Sequence, residues 1–237
     1  MSARIMRWPA VLLTLLGAAQ AIAAQPQLQP TEYQTRYEVF WGSMNLGRAD
    51  ISLQQLEDGC YRYQSITHAG ALVRMFYGEP RETSEFCLVD GEVRSRYLQF
   101  VNNKKKKDSF ELRFDWQAGA VTGPGAQQRE LPANAVDRFS MQEALRLWVM
   151  RHVDEDSVAP LELTMVEDDR MRAYTFERVG ERIVQTPAGA LTAVLVERTD
   201  DPKKSVRFWF APERGYQIVR FERLKDGKPA VEMLLAE

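Results

Sequence analysis

The chain has 237 residues, of which 45% are hydrophobic and 27% charged, with a formal net charge of −2. That much apolar surface can build a sizeable core, which excludes a disordered chain. The lack of a basic excess excludes a nucleic-acid binder that works through global charge.

The first residues have the form of a secretory signal peptide. Arg4 and Arg7 make a short positive region, "VLLTLLGAA" at residues 11–19 is an apolar core, and Ala21-Ile22-Ala23 supplies small residues for a peptidase. The expected cleavage follows Ala23, with Ala24 as the neighbouring alternative. The apolar run is shorter than the ~20 residues that a spanning helix needs. No cysteine follows the cleavage site to carry a lipid. These features predict export to the periplasm, a flexible leader over residues 24–30 and a single β-rich domain over residues 31–237.

Residues 31–41, "TEYQTRYEVFW", place Tyr33, Tyr37, Val39 and Trp41 on one parity, as in a half-buried strand. After a turn at residues 42–47, Ala49, Ile51 and Leu53 alternate with polar residues, and the two runs predict a hairpin. Residues 60–68 form a third predicted strand after the Asp58-Gly59 turn. Residues 69–80 hold Leu72, Val73, Met75, Phe76 and Tyr77 between glycines and have no assigned type. Residues 81–88 and 92–101 flank an Asp90-Gly91 turn as a further hairpin. Cys60 and Cys87 form an isolated even pair behind a signal peptide. A disulfide is expected, tying this hairpin to the third strand.

Lys104, Lys105, Lys106 and Lys107 lie between two alternating runs, with Asn102, Asn103 and Asp108 as turn formers. The expected structure is a solvated hairpin tip. Lysines there also discourage edge pairing, and they are the candidate contact with anionic lipid head groups. A stacking platform for nucleic acid is missing. Residues 119–135, rich in Gly, Pro and Gln, mark the midpoint.

A helix follows, predicted over residues 141–153. Met141, Ala144, Leu145, Trp148, Val149 and His152 share one face. Ser140 and Glu143 have the spacing of a capping box. The acidic residues 154–156 are unfavourable at the negative end of a helix. The remainder alternates as strands at residues 161–166, 172–179, 181–185, 191–198, 205–211, 216–224 and 230–236. The fold class expected is mainly β, an antiparallel curved sheet or open barrel of about twelve strands, with one main helix between two β halves.

No nucleotide-binding glycine motif and no G-x-S-x-G elbow is present. His68 and His152 are isolated, without the Cys or carboxylate partners of a metal site. No cofactor and no metal is therefore expected. Aromatic residues on strands and helix suggest a concave face that holds an apolar ligand. The candidate groove residues are Tyr37, Trp41, Tyr63, Trp116, Trp148 and Trp209.

Five stretches occur in a particular order: "YEVFWGSMNLGRADISL", "FDW" at residues 114–116, "DRFSMQEALRL", "TPAGALTAVLVER" and "VRFWFAPERGYQIVRFE". Their order resembles the DUF3108 family of secreted bacterial proteins, over nearly the whole chain beyond the signal. The sequence departs from that pattern at Tyr216-Gln217-Ile218, where a Pro-Val pair is expected. The resemblance implies a periplasmic β-rich protein and no particular reaction. By analogy, the expected fold is the open barrel around a helix seen in lipoprotein carriers. Together these readings predict a non-enzymatic envelope protein that binds an apolar ligand or an envelope protein partner and touches anionic lipid peripherally. The alternative is a hydrolase acting on cell-wall or lipid substrates.

Overall fold

The computed structural model describes residues 28–237, so the signal peptide and most of the leader lie outside the described residues. Eight strands come first: β1 (Tyr33–Trp41), β2 (Met44–Gln55), β3 (Tyr61–Ala69), β4 (Arg81–Val89), β5 (Glu92–Val101), β6 (Phe110–Asp115), β7 (Ala120–Thr122) and β8 (Gln128–Glu130). Short helix α1 (Ala71–Tyr77) interrupts them between β3 and β4. After β9 (Ala135–Val136) comes helix α2 (Ser140–Arg151). Then follow β10 (Leu161–Val166), β11 (Met171–Thr186), β12 (Gly189–Arg198), β13 (Val206–Ala211), β14 (Gln217–Lys225) and β15 (Lys228–Leu235).

All fifteen strands belong to one sheet. Its order is β8 to β1 in descending sequence, then β15 to β9 in descending sequence. Two meanders are therefore sewn together by their outermost strands, with Tyr37 of β1 opposite Leu235 of β15. Neighbours are antiparallel except β9 and β10, which run parallel. The sheet curls but does not close, because β8 and β9 are its edges and share no ladder. Arg129 of β8 donates across this seam to the carbonyls of Glu167, at 2.9 Å, and Asp168, at 3.4 Å.

Helix α2 fills the curled sheet. Met141, Leu145, Trp148 and Val149 pack with Phe176, Val196, Phe208 and Phe210 in one core, while Leu147 faces the other core with Leu53, Phe86, Leu98 and Leu112. A helix wrapped on several sides must bury polar residues too, and Glu143 and Arg146 are 1% and 2% exposed.

Several expectations need correction. The sheet has fifteen strands rather than about twelve, because the Gly-rich midpoint contributes β7, β8 and β9; β2 also begins earlier than expected, at Met44. Residues 172–185 form one long strand, β11, whose register shifts between Arg178 and Gly180 instead of breaking. The unassigned segment after β3 contains α1. Helix α2 starts at Ser140 and ends at Arg151, and His152 is its C-cap.

The capping box does not form. Ser140 lies inside the helix, and Asp137 is the acceptor that holds its start. Asp137 Oδ1 accepts from the backbone N–H of Phe139 at 2.9 Å and of Ser140 at 3.2 Å. The Glu143 side chain turns instead to Tyr33 and Arg146.

Candidate functional site: the cavity of the concave face

In a meander, successive turns alternate between the two ends of the sheet. The β1–β2 turn, α1, the β5–β6 loop and the β10–β11, β12–β13 and β14–β15 turns therefore share one end. A cavity of about 650 Å³ opens there. Its inner wall carries Tyr37, Ile51, Tyr63, Phe139, Met141 and Phe208, with the polar side chains of Ser65, Thr67 and Gln142 among them. These side chains come from the inward parity of β1, β2, β3 and β13 and from the entry to α2. Period-2 alternation puts them on one face.

The tyrosines are fixed by hydrogen bonds that cross the interior. Tyr37 donates to the carbonyl of Ile218 at 2.6 Å, and Tyr63 to Gln142 Oε1 at 3.3 Å. Burial pushes both hydroxyls well above the ordinary tyrosine range. At any ordinary pH they are neutral donors, and the rings present an uncharged wall.

The mouth is charged. The acids Glu82, Glu167 and Asp168 and the bases Arg138, Arg170, Arg172, Arg198, Lys204 and Arg223 stand in the lining. Arg138 pairs with Glu82 and is surrounded by the rings of Phe100, Phe110 and Phe139 at 5.1, 5.7 and 5.7 Å. Burial pushes the Glu82 carboxyl up, and the Arg138 guanidinium opposes that rise. Arg198 is held by Asp200 and stacks on Tyr174 at 3.7 Å. Among the described residues, Lys204 and Arg223 form no ion pair, and the buried Nε of Arg138 has no hydrogen-bond partner.

Of the six aromatic residues singled out in the sequence, Tyr37 and Tyr63 meet in this cavity. The four tryptophans lie outside its lining. Trp41 is exposed beside the β1–β2 turn. Trp116 sits at the opposite end, donating Nε1–H to the Ser95 carbonyl at 2.7 Å. Trp148 and Trp209 are buried in the two cores. The sequence reading missed Phe139 and Met141, which flank the start of α2, and the arginines of the mouth. The alternation of Val206, Phe208 and Phe210 was the available signal for β13.

A second polar cluster lies behind the cavity. Asp137 accepts from Ser84 Oγ and Ser140 Oγ, each at 2.9 Å, and the hydroxyls of Ser95 and Ser140 are 2.5 Å apart. All four residues are sealed from solvent. Burial raises the Asp137 carboxyl above its ordinary value, against two N–H and two hydroxyl donors. The cluster pins the β9–α2 junction to β4 and β5. Neither histidine joins it or lines the cavity. His68 Nε2 meets Asp50 at 2.9 Å, and His152 Nδ1 meets the Trp148 carbonyl at 2.8 Å.

Cys60 and Cys87 are bridged. They extend the β3–β4 ladder by one position beyond the Tyr61–Phe86 pair, at the end opposite the cavity. Lys104, Lys106 and Lys107 are exposed at the cavity end, whereas Lys105 is half-buried with its ammonium 4.6 Å above the Tyr77 ring.

The architecture is similar to that of a solved "beta-barrel-like protein of domain of unknown function DUF1849" from Brucella abortus. The likeness covers 86% of this chain and 95% of that one at 13% identity, with a TM-score of 0.52. A weaker similarity, TM-score 0.34 at 11% identity, links 87% of this chain to 52% of the length of MucB. No curated protein matches the sequence. The family described as "protein of unknown function (DUF3108)" matches residues 36–235, and the chain belongs to that family.

Proposed function

We propose that the protein binds, without catalysis, a ligand with an apolar chain in the cavity of its concave face. The observation that carries this reading is the cavity itself: about 650 Å³, with aromatic and aliphatic side chains in its inner wall and a charged mouth. That volume lies within the range of about 300–1,000 Å³ typical of small-molecule sites. Lys204 and Arg223 would meet an anionic or acceptor-rich head, while the chain lies against Ile51, Phe139 and Phe208. The setting we infer is the periplasm. Residues 1–23 as a signal peptide support it, as does a disulfide, which persists in oxidising compartments.

For the alternative, a hydrolase, the cavity would need a base beside an accessible nucleophile. Ser140 is sealed behind Asp137, and Glu82 already pairs with Arg138.

The test is titration with a naturally fluorescent polyene fatty acid, followed by displacement with palmitate. Saturable binding is expected. Ala49→Phe, which fills the cavity from β2, should weaken it on the order of tenfold or more, a loss comparable to forfeiting one well-buried side-chain contact. Absence of saturable binding, or equal binding by the filled variant, rejects the reading.

A further inference from the structure

Helix α1 buries none of its residues. Leu72, Met75 and Phe76, at i, i+3 and i+4 spacing, form one helix face and are 64%, 55% and 59% exposed. Tyr77 is 63% exposed beside them. Single exposed apolar residues are ordinary, but a contiguous patch marks a binding surface. The patch extends along the cavity end. The backbone N–H of Gly70, just before α1, donates to the Leu46 carbonyl at 2.8 Å, which places α1 against the β1–β2 hairpin. Trp41 and Met44 at that hairpin's turn are 59% and 52% exposed.

The lysine loop is fastened to the other side of α1. Asn102 is buried and donates Nδ2–H to the Tyr77 carbonyl at 3.0 Å. Its Oδ1 accepts from the backbone of Lys104 and Lys105, each at 3.0 Å. Asn103 Oδ1 accepts from the Glu79 N–H at 3.3 Å. The apolar face and the four lysines therefore form one fixed lip at the end of the sheet where the cavity opens.

The geometry points to this lip as a docking surface for an anionic lipid bilayer. Leu72, Met75, Phe76 and Trp41 would enter the interface, with Lys104 to Lys107 against the head groups. Charge complementarity selects this occupant. The lip has four adjacent lysines, with only Asp108 as an acidic residue in that loop. Acidic residues lie in the other turns of the cavity end, as at Asp168, Asp169, Asp200 and Asp226, and at the opposite end, as at Glu57, Asp58, Asp154 and Glu155. The charges of the cavity end balance overall, but the lysine loop concentrates positive charge beside the apolar face of α1, and an anionic surface is attracted to that local excess. Aromatic residues with apolar bodies and polar tips suit the head-group level. In this orientation the cavity opens toward the membrane. The inference stands on α1 and its neighbours and does not depend on what the cavity holds.

Co-sedimentation of the purified protein with vesicles tests it, using phosphatidylcholine with and without phosphatidylglycerol. Binding to the anionic vesicles alone is expected, weakening as salt rises. Each lysine removed from the loop should weaken it about fivefold. Leu72→Ser/Phe76→Ser should lose most of the binding while keeping the wild-type urea midpoint, which shows that the variant is folded. Three results would overturn the inference. One is no binding of the wild type to anionic vesicles. Another is binding that the double variant leaves unchanged. The third is a wild-type dimer, seen by sedimentation velocity, that the double variant dissociates, since the patch would then be an interface between copies.

Discussion

Glu143 Oε2 and Arg146 Nη1 lie 3.3 Å apart in the middle of the molecule, with side-chain exposures of 2% and 3%. Tyr33 donates to the carboxylate at 2.9 Å, and Arg146 donates on to the Gly215 carbonyl at 2.8 Å and to Thr31 at 3.1 Å. This network ties α2 to β1 and to the β13–β14 turn. The two partners are not equivalent. A carboxyl left alone can take a proton, whereas a guanidinium cannot lose one. Glu143→Leu should therefore cost about 3–5 kcal/mol, as for a stranded buried charge, and Arg146→Met should cost less. The double variant should recover much of the loss. Urea melts of the three variants check this, and equal costs for the two single changes would contradict it.

The pH dependence has a defined sign. Burial raises the carboxyls of Glu143, Asp137 and Glu82 above their ordinary values. The folded state therefore keeps these protons over a range in which the unfolded chain has lost them. Their contribution to stability is full below the unfolded values, near pH 4, and falls as pH rises through the folded ones. Glu143→Gln removes one such group, so the stability gap between wild type and variant should narrow as pH rises from about 4 to 7. A widening gap would mean that Arg146 stabilises the charged carboxylate more than burial penalises it.

At the start of α2, Asp137 rather than Ser140 has the larger role. Asp137→Ala strands two backbone N–H groups and two hydroxyls and should cost about 3 kcal/mol. Ser140→Ala should cost about 1 kcal/mol. The reverse order in urea melts would restore Ser140 as the residue that holds the helix start.

The bridge between Cys60 and Cys87 spans 27 residues. In the chain-entropy model, closing such a loop stabilises the fold by about 3–4 kcal/mol. Cys60→Ser/Cys87→Ser should lose that amount, and thiol titration of the denatured, unreduced wild type should find no free thiol. Two titratable thiols would contradict the bridge.

Local signals in the sequence carried much of this fold. Alternation places Tyr37, Ile51 and Phe208 on strands, and 3–4 spacing places Leu145 and Trp148 on a buried helix face. What stayed hidden depends on distant pairing. Nothing local says that Tyr37 lies opposite Leu235, yet that pairing curls two meanders into one sheet and creates the cavity. Nor does the i,i+3 pair of Glu143 and Arg146 announce its burial, since the same spacing is common on solvent faces. Asp137 was overlooked because the S-x-x-E pattern at Ser140 offered a complete local account of the helix start. The groove was read from aromatic residue type alone, so four tryptophans outside the cavity, one of them exposed, were grouped with Tyr37 and Tyr63. The arginines of the mouth come from segments far apart in the chain, among them the β9–α2 turn and strands β11, β12 and β14.

The central claim is that the concave face holds an apolar chain. Photolabelling with a fatty acid that carries a diazirine near its methyl end tests it most directly, with adducts mapped by peptide mass spectrometry. The predicted result is labelling of peptides containing Ile51, Tyr63, Phe139 or Phe208, abolished by excess palmitate. Labelling confined to α1 and the outer face of the sheet, or labelling that palmitate does not compete, would contradict the claim.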